Sequence, residues 1–176
     1  MTVFTIGHST HPIADFIGLL LEAAVERVVD VRSIPRSRTN PQFNTEALSD
    51  SLAATGIDYI HLKVLGGRRH RAKSAGPSPN QFWQNEAFRS YADYAQTPAF
   101  RAGLDELKTL ASPQRCALMC AEALWWRCHR RIISDYLLAD GISVAHIMGS
   151  GKIEPATLTP SARHLPDGSL VYEKQD

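Results

Sequence analysis

The chain has 176 residues, 44% of them hydrophobic, and 19 Lys and Arg set against 18 Asp and Glu leave a net charge of +1. That length suits one α/β domain over residues 1–176, with a core that needs no staple. So small a charge excludes a general polyanion binder steered by a whole-molecule field, and the lack of a long apolar run excludes a membrane-spanning helix.

Met1 leads straight into TVFTIGHS, without the basic and then apolar pattern of a secretion signal, so a cytoplasmic protein is expected. Thiols stay reduced there, and Cys116, Cys120 and Cys128 therefore point to reactivity or metal binding before a disulfide frame.

Short apolar runs alternate with helical patterns, which predicts strand–helix units and a largely parallel sheet of about five strands flanked by helices, Rossmann-like in class. The first strand is Val3 to Ile6, stopped by Gly7. Pro12 suits the first turn of a helix through IADFIGLLLEAA, with Ile13, Phe16, Ile17, Leu20 and Leu21 on one face. Arg27 to Arg32 makes the second strand, and Asn44 to Thr55 a helix closed by Gly56. The third strand starts at Ile57, in IDYIHLKVL. A long excursion follows, from Gly66 to Pro113, with a Gly/Pro/Ser-rich loop and two helices, NEAFRSYADYAQ and PAFRAGLDELKTLA. Arg115 to Glu122 is the fourth strand, WRCHRRIISDYLLADG a helix, and Ser143 to Met148 the fifth strand. Asp167-Gly168 between apolar residues predicts a C-terminal hairpin or a final edge strand.

Parallel strands deliver the residues beyond their ends to one rim, where open α/β sheets bind ligands. Those positions are polar here: Gly7, His8 and Ser9; Asp30 and Arg32; His61 and Lys63; Cys120 and Glu122; His146. A carboxylate inside the apolar run VVDV is costly to bury alone. Arg32, two residues on, shares its strand face and is the natural partner or co-ligand of Asp30.

The stretch ALMCAEALWWRCHRRI, Ala117 to Ile132, concentrates the chemistry. A structural zinc fits it poorly. Cys116 and Cys120 on one extended strand lie about 13 Å apart, and adjacent helical residues such as Cys128 and His129 point about 100° apart. On a helical wheel His129 falls within an apolar stripe with Trp125, Ile132, Ile133 and Tyr136, as a core histidine does. It also lies in the first turn of a helix, whose free N–H groups and dipole stabilise anions and lower the pKa of a nearby thiol. Cys120, at the strand-to-helix turn, is therefore the expected thiolate; Cys116 reads as core packing and Cys128 is left without a role. GSGK, Gly149 to Lys152, lacks the rest of a phosphate loop.

Two loops beside the same rim are basic. Val31 to Thr45 holds Arg32, Arg36 and Arg38 with no acid; Tyr59 to Asn85 holds Lys63, Arg68, Arg69, Arg71 and Lys73, also with none. They suit a phosphate or carboxylate site, or a nucleic-acid backbone with Phe43, Phe82 and Trp83 available for stacking.

TIGHS at Thr5, DVRSIPRS at Asp30, YIHLKVLGG at Tyr59, LMCAE at Leu118 and CHRRII at Cys128 together resemble the domain of unknown function 488 family, from Thr5 to about His146. The resemblance implies an α/β domain and no established reaction. It carries over Gly7, His8, Ser9, Asp30, Arg32, Pro35, Gly66, Gly67, Cys120, Glu122, Cys128, His129 and Arg130, while AEALWW reads as this chain's own variation.

The expectation that joins these features is an enzyme acting on a small anionic substrate, phosphorylated or nucleotide-like. Cys120, Glu122, His129 and His8 are its expected catalytic residues. Ser9, Asp30, Arg32, Arg36, Gly66, Gly67 and Arg130 are its expected binding residues, with no metal ligand assigned and no cofactor evident. The alternatives are a nucleic-acid or nucleotide binding module and a metal-dependent site using His8, Asp30, Glu122 and His129.

Overall fold

A computed structural model describes residues 1–72 and 74–176; Lys73 of the second basic loop lies outside the described residues. The chain folds in the order β1 (Thr2–Gly7), α1 (Ile13–Glu22), β2 (Arg27–Asp30), α2 (Thr45–Ala53), β3 (Asp58–His61), α3 (Glu86–Tyr94), α4 (Pro98–Ala111), β4 (Cys116–Cys120), α5 (Arg130–Ala139), β5 (Ser143–Gly149), β6 (Lys152–Pro155), β7 (Ala162–His164) and β8 (Leu170–Tyr172). The main sheet runs β3-β2-β4-β1-β5-β6, with β7 and β8 forming a separate antiparallel pair. The five strands β1–β5 are parallel, as expected, and β6 adds an antiparallel edge beside β5. Among the described residues no helix is long and apolar enough to cross a membrane.

Both faces of the sheet are buried, which is why its strands read as continuous apolar runs. On β4, Cys116, Leu118 and Cys120 join Phe100, Leu104, Ile132 and Ile133 of α4 and α5. Ala117 and Met119 point the other way, toward Phe16 and Leu20 of α1 and Leu48 and Leu52 of α2. Period-two alternation along one strand thus feeds two cores.

Chain direction sets the position of the crevice. From β1 the chain crosses by α1 and α2 to β2 and β3 on one side; from β4 it crosses by α5 to β5 on the other. Right-handed crossovers place these connections on opposite faces. β1 and β4 are neighbours, with Gly7 opposite Cys120, so the chain leaves their carboxyl ends toward opposite faces and a crevice opens between.

Several boundaries differ from expectation. The second strand ends at Asp30 and the third at His61, where a single 3₁₀ turn, Lys63–Leu65, curls the chain away from the sheet. α5 starts at Arg130 instead of Trp126, because Trp125–Arg127 forms a 3₁₀ turn and Cys128 is extended (φ −136°, ψ 170°). GSGK is the turn between β5 and β6, with Gly151 at φ 66°. The expected C-terminal hairpin is present as β7–β8, turning through Gly168 at φ 85°.

Candidate functional site

The ladder between β1 and β4 continues past the strands: His8 N–H donates to the Cys120 carbonyl at 2.9 Å and Ser9 N–H to the Ala121 carbonyl at 3.0 Å. Gly7 is needed here for closeness. A Cβ on it would sit 2.0 Å from the Glu122 carbonyl oxygen, so the chain after Cys120 folds directly over the end of β1. That carbonyl is thereby aimed inward, where it accepts from Arg130 Nη2 at 2.5 Å.

Arg130, the first residue of α5, turns its side chain back beneath this loop and is 1% exposed. Its Nε lies 3.0 Å from the Cys120 sulfur and 3.2 Å from that of Cys128, and its Nη1 donates to Thr5 Oγ1 at 3.1 Å. The two sulfurs are 3.2 Å apart, and the Arg130 backbone N–H adds a 3.4 Å contact to Cys128. Among the described residues no carboxylate pairs with this guanidinium. A buried cation without a counter-ion is strongly disfavoured, and the thiol pair is what can supply a negative charge.

The charge falls on Cys128. Burial alone would raise its thiol, but hydrogen bonds from Cys120 and His129 and the Arg130 charge overcome this and hold it well below an ordinary cysteine. Cys120 goes the opposite way: burial, then its bond to Cys128, push it well above. This reverses the expected order of the two thiols. Cys120 is 3% exposed at the floor, whereas Cys128 is half-buried beside the opening. Cys116, fully buried and raised to about 11 by burial, is core packing as expected.

His146 belongs to the same network, but from below. Thr5 Oγ1 accepts from Arg130 and shares a second hydrogen bond with His146 Nδ1, 2.6 Å away, while His146 Nε2 is buried without a partner among the described residues. The ring stacks on Trp125 at 4.3 Å, and burial followed by the Arg130 charge lowers its pKa to about 4. It stays neutral and does not face the cleft.

A second cluster supports the opposite wall. Asp30, fully buried, accepts from Arg32 Nε at 2.9 Å, from Arg32 Nη2 at 2.7 Å and from the Tyr59 hydroxyl at 2.6 Å. Arg32 also donates to the Phe43 carbonyl at 2.8 Å and reaches His8 Nε2 at 3.3 Å. With Nδ1 donating to the Ser9 carbonyl at 2.8 Å and the ring stacked on Phe43, both nitrogens of His8 are taken up. Burial lowers its pKa to about 4, so it is a neutral wall and not a ready acid or base.

Between these clusters lies a cleft of about 420 Å³ that brings His8, Arg32, Cys120, Glu122, Cys128 and His129 together. His129, immediately before α5 and not inside it, is half-buried and donates from Nε2 to the Val31 carbonyl at 2.7 Å. Gly67 lies against its ring, since a Cβ there would come within 2.6 Å of Nδ1. Arg36, Arg68 and Arg127 are exposed around the mouth, and Glu122 is the sole acid among the described lining residues. The Glu122 carboxylate accepts from the Leu124 N–H at 3.1 Å.

Other expected site residues serve beneath the cleft. Asp30 and Arg130 are buried under it, and Ser9 and Gly66 support it without lining it. Of the aromatic rings named for stacking, Phe43 is fully buried, Trp83 is buried against Phe88 and Tyr172, and Phe82 is half-buried and meets Trp83 edge-on. The four side chains named for a metal do not gather as ligands; among the described residues no three His, Cys, Asp or Glu side chains could hold one ion. Sequence reasoning placed Arg68 within a basic loop suited to an anion, but missed Arg127 at the mouth and Tyr91 of α3, whose ring meets that of His129 edge-on at 5.1 Å. Only its position beside CHRR could have flagged Arg127; nothing marks Tyr91.

Fold and site together define an α/β protein of parallel-sheet type with a cysteine–arginine cluster at the switch point of its sheet. The chain belongs to the family described as Domain of unknown function DUF488, whose model matches residues 12–137. That segment contains four of the five motifs, TIGHS lying just before it. No match was found among curated proteins or among solved structures.

Proposed function

We propose that the protein is an enzyme acting on a small anionic substrate at the carboxyl rim of its sheet, with the Cys128 thiolate as the attacking group. The carrying observation is the Arg130 guanidinium, 1% exposed, bridging two sulfurs with no carboxylate pairing among the described residues. A thiolate is the nucleophilic form of cysteine, and an adjacent fixed cation is how proteins maintain it at neutral pH. Arg36, Arg68 and Arg127 supply the attraction for an anion; of these Arg36 has only a loose, exposed 3.6 Å pair with Glu46, worth little. His129, with Nε2 fixed on Val31, keeps Nδ1 as its proton-exchanging atom. Asp30, Arg32 and His8 are positioning residues that hold the wall rigid.

The test is peptide-resolved alkylation of native protein across pH, with neutral iodoacetamide and anionic iodoacetate in parallel. Cys128 is expected to label with a midpoint well below the ordinary thiol value of about 8.5, and Cys116 not at all. Iodoacetate gains on iodoacetamide at Cys128, and Arg68→Glu with Arg127→Glu removes that gain. A Cys128 midpoint at the ordinary value overturns the nucleophile; equal response to the two reagents overturns the anionic substrate.

A further inference from the structure

We propose that Cys128 and Cys120 are an attacking and a resolving thiol that together reduce a small anionic disulfide, the protein closing to an internal Cys120–Cys128 disulfide. This rests on the reading of Cys128 as the nucleophile and names its substrate class.

The placement of the two sulfurs carries it. They are already 3.2 Å apart, and a bond of about 2.0 Å needs roughly one further ångström of approach. A nucleophile that only transferred a phosphoryl or acyl group would have no use for a second thiol. Cys120 becomes useful when the first attack leaves a sulfur on Cys128, because that adduct can be cleared only by another thiol. At 3% exposure on the cleft floor, Cys120 offers an incoming substrate far less surface than half-buried Cys128. It can meet what Cys128 carries.

Arg130 times the two steps. Its Nε contacts both sulfurs, at 3.0 and 3.2 Å. While Cys128 is a thiolate it neutralises the guanidinium, and Cys120 keeps its proton and donates toward Cys128. Once Cys128 is bonded to substrate sulfur its charge is gone. The buried cation then faces Cys120 alone, and the second thiol ionises when it is needed. Arg36, Arg68 and Arg127 favour carboxylates on the incoming disulfide, and the cleft of about 420 Å³ exceeds what a peroxide would need.

The Cys128 thiolate attacks one sulfur of the substrate, the substrate S–S bond breaks, and one thiolate leaves and takes up a proton. Cys120 gives its proton to solvent and attacks the Cys128 sulfur; the mixed disulfide breaks and the second thiol leaves. Two electrons pass from the protein dithiol to the substrate, giving two thiols and one protein disulfide. An external dithiol reductant restores the pair.

The experiment treats reduced, native protein with glutathione disulfide as the anionic probe, quenches with acid and maps the products by mass spectrometry. Wild type is expected to yield a Cys120–Cys128 bond with loss of two hydrogens, reversible by dithiothreitol, with Cys116 untouched. Cys120→Ser, and Cys120→Ala as a second variant, accumulate a glutathione adduct on Cys128. Cys128→Ser yields no adduct. A stable Cys128 adduct in wild type, or an adduct on Cys120 in Cys128→Ser, overturns the resolving role. Cystamine, a dication, is expected to react about tenfold slower, the lower end of what local fields do to association rates; an equal rate overturns the anionic class. Rapid alkylation of Cys128 without the internal bond removes this inference alone, whereas slow alkylation removes the proposed function with it.

Discussion

Asp30 and Arg32, two residues apart at the end of β2, form a two-pronged ion pair sealed from solvent, with contacts of 2.9 Å from Nε and 2.7 Å from Nη2. Asp30 is fully buried and Arg32 is 6% exposed, so each charge depends on the other. Asp30→Asn keeps the shape and removes one charge. It is expected to cost about 3–5 kcal/mol, the penalty for leaving a buried guanidinium unpaired. Urea unfolding measures this, and a loss below about 1 kcal/mol would show that water reaches Arg32.

Arg130→Met removes the cation between the two thiols. The alkylation midpoint of Cys128 is expected to rise by about 1–3 pH units, the range associated with a close opposite charge. Arg130→Lys, with one donor head in place of a fork, falls between wild type and Arg130→Met. A purely structural role for Arg130 would lower stability and leave the midpoint where it was.

Gly7→Ala places a methyl 2.0 Å from the Glu122 backbone oxygen, which no flexible side chain can relieve. The expected loss is about 1–3 kcal/mol, as for other overpacked positions, together with slower Cys128 labelling as that carbonyl is pushed off Arg130. Gly18→Ala is the control. Nothing lies within 4 Å of its added methyl, on an exposed turn of α1, and it is expected to gain about 0.5–1 kcal/mol.

Acid lowers stability through two histidines. His8 and His146 have pKa values lowered by burial from 6.5 to about 4. Below pH 6.5 the unfolded chain takes up protons that the folded chain refuses. Stability is therefore complete above about pH 6.5, falls as pH drops toward 4 and then levels, by on the order of 2–3 kcal/mol for each ring. His146→Asn, which keeps a hydrogen-bonding partner for Thr5, is expected to remove about half of this slope in urea unfolding between pH 7 and 4.

The parallel sheet was legible because its strands are buried on both faces and so read as unbroken apolar runs. α4 was legible to the residue because Pro98 opens it and its apolar positions keep helical spacing. The start of α5 was not. The apolar stripe continues back to Trp125, yet Cys128 is drawn into an extended conformation with its sulfur against Cys120, a demand of distant residues on local structure. β6 was hidden for a related reason: KIEP carries a proline and two charges, and only pairing with β5 makes it a strand. In the site, the partnership of Asp30 with Arg32 followed from their spacing. The ranking of Cys120 and Cys128 depended on the hydrogen bonds that Cys128 receives from Cys120 and His129, and no spacing encodes those.

The pairing of Phe4 with Ala117 joins the first strand to one laid down late in the chain, and Gly7 meets Cys120 only when it is complete. Until then Thr5 is far from Glu122 and Arg130, and the network around the two sulfurs is incomplete. The proposed nucleophile is therefore a product of long-range closure of the fold and not of its local sequence.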